Sequence, residues 1–455
     1  MSYSQKTYLN VSQQPSLANL LRIAAPLSGA MLSQAILGLV DTALVGNLGG
    51  LALASVSIGS YLVFILVAII TGFGTGWHSL VSQFTLSHKG LLELGLVCGL
   101  LICVGLGLTG AYVAEDVINL FVLDDRINSL ATYYGQSRLW ALPAIIISIA
   151  ARIYWSEQGN AWQYTKIILL AHLANIPISY GLIYGVAGLP AMGAVGAGFG
   201  TSIAIWLGVL TQLALLFRSG HYSLRSLTSS WHLGLKNWPL LLRFTWPPML
   251  QQLAFALHLA VFFWILSQLG VSALAASFAV LNVGLLLILP AIGLGQAALS
   301  LIGTAVADGD RERAKKWSML IFRTAVFTAL ALTLCVAVVS QWLAQLLLVN
   351  RELQHLMATA LPWYATAMVL ETMIIILSRL LLLAGLRKTA LVLVIASQWL
   401  LFLPLMAWLT PIYGFMSVWW LHIGYRMLAV LLLWLVWRRY TLSLPIGIKF
   451  SLNKE

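Results

Sequence analysis

Residues 22–46 read RIAAPLSGAMLSQAILGLVDTALVG, an apolar stretch with one proline, Pro26, and one acid, Asp41. About 20 such residues form a helix that crosses the hydrocarbon core of a bilayer. An aspartate at that depth costs about 3 kcal/mol on insertion scales and by default indicates a functional site for an ion or a proton. The stretch therefore predicts a membrane-spanning helix with a functional carboxylate near its end.

Composition places the whole chain in the same class. Hydrophobic residues make up 60% of the sequence and charged residues 8%, and the mean hydropathy is +0.93. Such a chain lacks the polar surface of a soluble globule, and in lipid only helices or closed barrels satisfy the backbone. The net charge of +12 comes from basic residues that lie singly or in small groups between apolar runs, without the patch that nucleic-acid binding requires. We expect an all-α polytopic membrane protein that contacts lipids and no nucleic acid.

Twelve apolar runs are long enough to cross a membrane, and we number them spans 1 to 12. They cover residues 17–47, 51–84, 91–113, 129–155, 163–186, 191–217, 240–268, 272–307, 315–340, 353–384, 389–410 and 414–437. The longest polar interval lies between spans 6 and 7. It predicts an N-terminal lobe (1–217), a linker (218–238), a C-terminal lobe (239–440) and a tail (441–455).

The loop charges predict the orientation. Lys and Arg collect at the termini, in the linker and in alternate loops, whereas the opposite loops hold only Arg126 and Arg351. Cytoplasmic loops carry the excess of Lys and Arg. We therefore expect both termini, the linker and the tail to be cytoplasmic.

The two halves repeat each other in sequence. At an offset of 221 the matched positions are Arg22 and Arg243, Pro26 and Pro247, Gly72 and Gly293, and Gly74 and Gly295; at 227 they are Arg152 and Arg379, and Pro177 and Pro404. Repeats of six helices each have the same membrane orientation, related by a pseudo-twofold axis along the membrane normal. The repeat predicts two six-helix bundles that rock against each other and alternate access to a cavity between them.

Asp41 breaks this symmetry, because its equivalent in the second half is Phe262. The break favours coupling chemistry in the N-terminal lobe alone. Gln34, seven residues earlier, extends a polar stripe along the same helix face, and Pro26 predicts a kink. The alternative is an interfacial aspartate that is solvated and caps the turn at 46–50.

Polar residues in spans 4, 5 and 6 are candidate partners for Asp41. His172, Asn175 and Ser179 share one face of span 5 around Pro177. Hydrogen bonding that only joins neighbouring helices is the alternative interpretation of these positions. The remaining candidates are Thr201 in span 6 and Tyr133 and Tyr134 in span 4.

Glu371, near the middle of span 10, is a candidate second ionisable site. Arg379 is two turns away, about 12 Å by helical rise, and too far to pair. The alternative for Glu371 is a salt bridge between the lobes with Arg138 or Arg426. Arg152 and Arg379 are better explained as residues that snorkel and stabilise the bundle.

Enzyme motifs are missing from the sequence. There is no G-x-S-x-G elbow, no H-E-x-x-H and no P-loop, and the GFGTG run at residues 72–76 lies inside an apolar helix, where it predicts close helix packing. A membrane acyltransferase would need a paired His and acid, and the eight His are scattered. We expect no catalytic residues, no metal and no cofactor, and therefore transport driven by an ion gradient.

These features resemble the multidrug and toxic compound extrusion (MATE) transporters, and within them the DinF-like branch. The resemblance rests on the six-plus-six repeat, on the run GAVGAGFGT ending at Thr201, and on the motif of span 1 formed by Arg22, Pro26, Val40, Asp41, Thr42, Val45 and Gly46. It implies a V-shaped pair of lobes in a bacterial-type cytoplasmic (inner) membrane. It also implies export of amphiphilic, often cationic drugs, a drug-resistance function, in exchange for H⁺ or Na⁺. We expect the protein to act as a monomer.

The resemblance assigns roles to matching positions. Asp41 matches the protonation site, Pro26 the residue at which span 1 bends, and Asn175 and Thr201 its polar partners in spans 5 and 6. Ser179 stands where DinF-like members commonly have a second Asp, so Asp41 carries the proton alone. Residues 250–266 of span 7 contain no acid, which favours H⁺ over Na⁺.

Two alternatives stay open at this point. Glu371 lies in the span where sodium-coupled members keep an Asp, so a Na⁺-coupled drug exporter is one. A flippase for a lipid-linked precursor is the other, and it would need a cationic cavity. For the drug exporter we expect an apolar, aromatic cavity, with the candidate residues Met31, Phe64, Tyr134, Trp140 and Trp155 in the N-terminal lobe and Met249, Phe255 and Trp264 in the C-terminal lobe.

Overall fold

The computed structural model describes residues 14–84, 90–119, 125–186, 188–218, 237–348 and 350–443, and these contain twelve helical spans with no strand. Spans 1 to 6 are Leu17–Gly46, Gly50–Phe84, Leu91–Asn119, Asp125–Leu139 with Leu142–Glu157, Ala161–Tyr184 and Gly193–Arg218. Spans 7 to 12 are Trp238–Ser267, Val271–Ala307, Arg311–Leu347, Arg351–Leu383, Arg387–Ala396 continued to Leu403–Tyr413, and Phe415–Ser443. The predicted all-α membrane architecture of twelve helices is confirmed.

Two of the spans are interrupted, which hydropathy did not predict. Span 4 breaks between Leu139 and Leu142, immediately before Pro143. Span 11 contains a π-helical segment, Ser397–Phe402, which ends two residues before Pro404. Proline has no backbone N–H and clashes with the preceding turn. Both interruptions therefore follow from a proline inside a span.

The described residues form two compact units, one of residues 18–260 and one of residues 14–17 and 261–443. The boundary falls inside span 7, so most of that helix packs with spans 1 to 6. Residues 219–236 of the predicted linker and residues 444–455 of the predicted tail lie outside the described residues. The division into lobes at residues 218–238 stays a prediction.

Glycines explain why span 7 packs on span 2. A Cβ atom at Gly72 would lie 2.5 Å from the carbonyl oxygen of Pro248, and one at Gly76 would lie 2.3 Å from that of Phe244. Only glycine permits such an approach of two backbones. The prediction that the GFGTG run serves close helix packing is confirmed.

Candidate functional site around Asp41

Asp41 lies five residues before the end of span 1 and is half-buried. The Thr201 hydroxyl in span 6 donates a hydrogen bond to Asp41 Oδ2 at 3.1 Å, and it shares its proton with the carbonyl oxygen of Ala197 at 2.9 Å. The structure therefore joins these two predicted site residues directly.

The glycine-rich start of span 6 places Thr201. A Cβ atom at Gly196 would lie 2.4 Å from the carbonyl oxygen of Leu182, and one at Gly200 would lie 2.4 Å from Ser179 Oγ. These glycines let span 6 lie directly against span 5. The run GAVGAGFG thus brings Thr201 and the polar face of span 5 into one region.

The second carboxylate oxygen of Asp41, Oδ1, can still accept hydrogen bonds. Oδ1 is buried and accepts no hydrogen bond from the described part of the chain. The positive charge of Arg138, near the end of the first helix of span 4, attracts the carboxylate. Arg138 was not identified from the sequence as a partner of Asp41. Oδ1 can therefore still bind a proton, or accept a hydrogen bond from a donor that reorients towards it.

Asn175 and Ser179 form a pair of their own in span 5. Both are fully buried, and Ser179 Oγ donates to Asn175 Oδ1 at 2.7 Å. Asn175 Nδ2 is buried and finds no acceptor among the described residues. The N-terminal unit therefore contains an unmatched buried donor, Asn175 Nδ2, and an unmatched buried acceptor, Asp41 Oδ1.

Three hydrogen bonds join spans 1 and 5 along their length. Thr165 Oγ1 donates to the carbonyl oxygen of Pro26 at 2.8 Å, Ser33 Oγ lies 2.7 Å from His172 Nδ1, and the Tyr184 hydroxyl donates to the carbonyl oxygen of Leu44 at 2.8 Å. The paired positions are 139, 139 and 140 residues apart, so the two helices are parallel and keep a constant register. Sequence reasoning identified His172 and missed the other contacts, because they depend on this register.

The other residues that we predicted to lie near Asp41 have different surroundings. Tyr134 is buried, and its hydroxyl accepts a hydrogen bond from Ser60 in span 2 at 3.1 Å. Tyr133 is 61% exposed, and Gln34 is exposed. Tyr134 therefore braces spans 2 and 4, and the direct contact of Asp41 is with Thr201.

The predicted cavity residues differ in their surroundings. Trp155 Nε1 donates to Gln212 Oε1 at 3.1 Å, and Met249 packs against Gly72. Met31 and Phe255 are partly buried, and Phe64, Trp140 and Trp264 are exposed. Trp264 belongs to the second compact unit and the others to the first. Their role in a substrate cavity stays a prediction.

Two further pairs of ionisable side chains are joined by contacts of their own. Arg426 Nε is 2.7 Å from Glu371 Oε2, and both residues belong to the second compact unit. His78 Nε2 is 3.1 Å from Glu157 Oε1 at the ends of spans 2 and 4. Sequence reasoning missed the second pair, although its positions also break the repeat, with Leu299 and Ala384 as equivalents. No group of three or more His, Cys, Asp or Glu in the described residues is arranged to hold a metal ion.

Several known proteins similar to this chain are described as multidrug resistance proteins. A probable multidrug resistance protein NorM from Idiomarina loihiensis is 25% identical over 366 residues, which are 78% of each chain. Multidrug resistance protein MdtK from Edwardsiella ictaluri is 26% identical over 75% of this chain and 76% of its own.

Solved structures share the fold. One described as the outward-facing conformation of a multidrug resistance MATE family transporter has a TM-score of 0.85 at 19% identity, over 97% of this chain and 99% of that one. Another, described as MATE in the bent conformation, has a TM-score of 0.85 at 19% identity, over 97% and 98%.

The MatE family model matches residues 26–181 and residues 247–408. The two matched segments begin 221 residues apart and end 227 residues apart, which are the two offsets of the internal repeat. Proteins of this kind are transporters and not enzymes. The match in both halves shows that the chain belongs to the MatE family, the multidrug and toxic compound extrusion transporters.

Proposed function

We propose that this protein is a secondary active multidrug exporter that exchanges H⁺ for amphiphilic, cationic compounds by alternating access. The observation that carries the proposal is the Asp41 site, a half-buried carboxylate with one oxygen bound by Thr201 and the other without a donor among the described residues. The names of the relatives support drugs as the exported compounds.

Protonation changes the hydrogen bonds that Asp41 can make. The charged carboxylate only accepts, and burial disfavours its charged form. A proton on Oδ1 converts that oxygen into a donor, and the Asn175–Ser179 pair offers acceptor oxygens in span 5. The neutral carboxyl also accepts more weakly from Thr201, because hydrogen bonds to charged groups are the stronger ones. Proton binding therefore favours a new set of contacts between spans 1, 5 and 6.

Pro26 lets span 1 respond to that change. The proline removes one backbone hydrogen bond from the helix, and the hydroxyl of Thr165 holds its carbonyl oxygen against span 5. Bending at Pro26 shifts the register of spans 1 and 5 and changes the drug site. Proton and drug must then favour different states by a few kcal/mol for transport to be coupled.

The proposal includes a location and a branch. The excess of Lys and Arg at the termini, in the linker and in alternate loops supports cytoplasmic termini, and the bacterial relatives support a bacterial-type cytoplasmic membrane. A DinF-like assignment rests on the motif of span 1, whereas the curated relatives named above are NorM and MdtK proteins. We expect a monomer, with H⁺ as the coupling ion and no further cofactor.

Ethidium transport into everted membrane vesicles tests the proposal. An imposed pH gradient should drive transport by the wild type, and Asp41→Asn should abolish the gradient-dependent part while the protein remains in the membrane at wild-type level. Normal pH-driven transport by Asp41→Asn would remove the proton site from the mechanism.

The same vesicles separate H⁺ from Na⁺ coupling. With the pH gradient collapsed, an imposed Na⁺ gradient should drive no transport by the wild type. Transport that depends on Na⁺ and disappears in Glu371→Gln would move the coupling site to the second compact unit.

A further inference from the structure

The Glu371–Arg426 ion pair is enclosed by aromatic side chains. The Arg426 guanidinium carbon lies 4.9 Å from the ring centroid of Tyr425 and 5.9 Å from that of Tyr364. Its Nε atom donates to Glu371 Oε2 at 2.7 Å, and one terminal nitrogen lies 3.4 Å from the carbonyl oxygen of His422. One carboxylate and two tyrosine rings thus surround a single organic cation.

The walls of this enclosure are fixed by packing. A Cβ atom at Gly284 would lie 2.1 Å from the Tyr364 ring, so the glycine makes room for the tyrosine. Trp419 packs edge-on against Tyr364 with ring centroids 5.3 Å apart, and Phe402 lies 4.5 Å from Tyr425. Both tyrosines are buried. The enclosure is therefore preformed, as a binding site needs to be.

The enclosure has the chemistry of an organic-cation site. Aromatic faces attract cations electrostatically, more strongly where water is excluded, and aromatic cages are how proteins recognise alkylammonium ligands. A carboxylate within the cage adds charge and a hydrogen-bond acceptor. In this structure the occupant is the guanidinium of the protein itself.

The two members of the ion pair differ in exposure. The side chain of Glu371 is 17% exposed and that of Arg426 is 6% exposed. The carboxylate is therefore the more accessible member of the pair. Once Glu371 binds a second cation, its salt bridge to Arg426 is weakened.

We propose that Glu371, Tyr364 and Tyr425 form an organic-cation site that the guanidinium of Arg426 occupies as a tethered competitor. A cationic substrate binds there by displacing Arg426 from Glu371. Arg426 is then a specificity-determining residue, because it lowers the affinity for every cation that does not exchange well with a guanidinium. The choice of ligand rests on the proposed export of cationic compounds, but binding to the site requires no ion gradient.

Equilibrium binding of ethidium to purified protein, followed by fluorescence anisotropy, tests the competition. Arg426→Met removes the charge and keeps an unbranched side chain, and we expect it to bind ethidium about fivefold more tightly than the wild type, or better. Arg426→Lys keeps a competing charge and should bind close to the wild-type affinity. The double variant Arg426→Met with Glu371→Gln should lose the gain, because the carboxylate that attracts the cation is missing.

Several results would overturn the proposal. Unchanged or weaker ethidium binding by folded Arg426→Met would make the pair purely structural, and a gain that survives Glu371→Gln would place the site elsewhere. A gain that Na⁺ removes and choline does not would assign the site to an inorganic cation. If Arg426→Met does not purify in folded form, Arg426→Gln, whose amide can still pack between the tyrosines, is measured against the same double-variant control. Failure of pH-driven transport in vesicles leaves this binding result unaffected, so the two proposals fail separately.

Discussion

At the scale of single residues, the contact between Thr201 and Asp41 is the most informative. A hydrogen bond to a charged group contributes about 1.5–3 kcal/mol to stability. The bond from Thr201 reaches this strength only while the Asp41 carboxylate is ionised. Thr201→Val keeps the shape and removes the donor, so pH-driven ethidium transport should fall by about tenfold. Thr201→Ser should retain most of the activity.

Thr211 provides a matched control for this prediction. It lies in the same span, is exposed, and its hydroxyl bonds only the carbonyl oxygen of Leu207 in its own helix. Thr211→Val should transport at the wild-type rate. An equal loss in Thr211→Val and Thr201→Val would indicate a general effect on span 6 and contradict the role of the Asp41 contact.

From the sequence, a broken repeat was the clearest signal for a candidate site residue. Asp41 was identifiable because the second half has Phe262 at the equivalent position. Glu157 and His78 break the repeat too and were overlooked, since neither lies at mid-membrane depth in the sequence. The partners Ser33, Thr165 and Tyr184 were not predictable, because they depend on how spans 1 and 5 are aligned.

At the scale of the helix, we expect Pro26 to lower the thermal stability of the protein and to be required for transport. A proline inside a helix costs about 3 kcal/mol. Pro26→Ala restores the missing backbone hydrogen bond, so it should raise the midpoint of thermal unfolding in detergent and lower pH-driven transport. Pro290→Ala makes the same backbone repair in span 8, which belongs to the second compact unit, and should leave transport unchanged. Full transport by Pro26→Ala would exclude bending at this residue from the mechanism.

The packing of spans 2 and 7 is a second property of the helices. A methyl group at Gly76 would meet the backbone of Phe244, which cannot move aside as a side chain can. Gly76→Ala should therefore lower the free energy of unfolding by about 1–3 kcal/mol. Gly105→Ala in span 3, where a Cβ atom meets nothing within 4 Å, is the matched control and should be neutral or slightly stabilising. Equal stability of the two variants in thermal unfolding would contradict this account of the glycines.

Helix positions were predictable from hydropathy, but helix continuity was not. Apolar length predicted all twelve spans, since backbone groups in lipid must be satisfied within a helix. The breaks before Pro143 and Pro404 depend on local backbone geometry, and Pro177, the repeat equivalent of Pro404, lies inside a continuous helix. The same residue at equivalent positions thus has different consequences in the two halves.

At the scale of the whole molecule, the internal repeat explains the fold, and the proposal assigns the coupling to a residue that departs from it. The two segments that match the MatE family keep the offsets of the repeat, so the family match and the internal repeat describe the same two halves. The boundary between compact units inside span 7 was not predictable from the polar linker, because it depends on the close contact of Gly72 and Gly76 with that helix.

The halves also differ in how they neutralise a membrane carboxylate. Glu371 is held in a salt bridge by Arg426 at 2.7 Å, whereas Asp41 accepts one hydroxyl hydrogen bond and has one buried oxygen without a donor in the described residues. We therefore expect the H⁺ dependence of transport to belong to the first half of the molecule.

Proton release on drug binding tests this central claim most directly. Proton and drug that favour different states must displace one another, and the linkage is reciprocal. Calorimetric titration of ethidium into purified protein, repeated in buffers with different ionisation enthalpies, measures the protons released. The account predicts release of about one proton per drug molecule from the wild type and none from Asp41→Asn. Equal proton release from wild type and Asp41→Asn would contradict it.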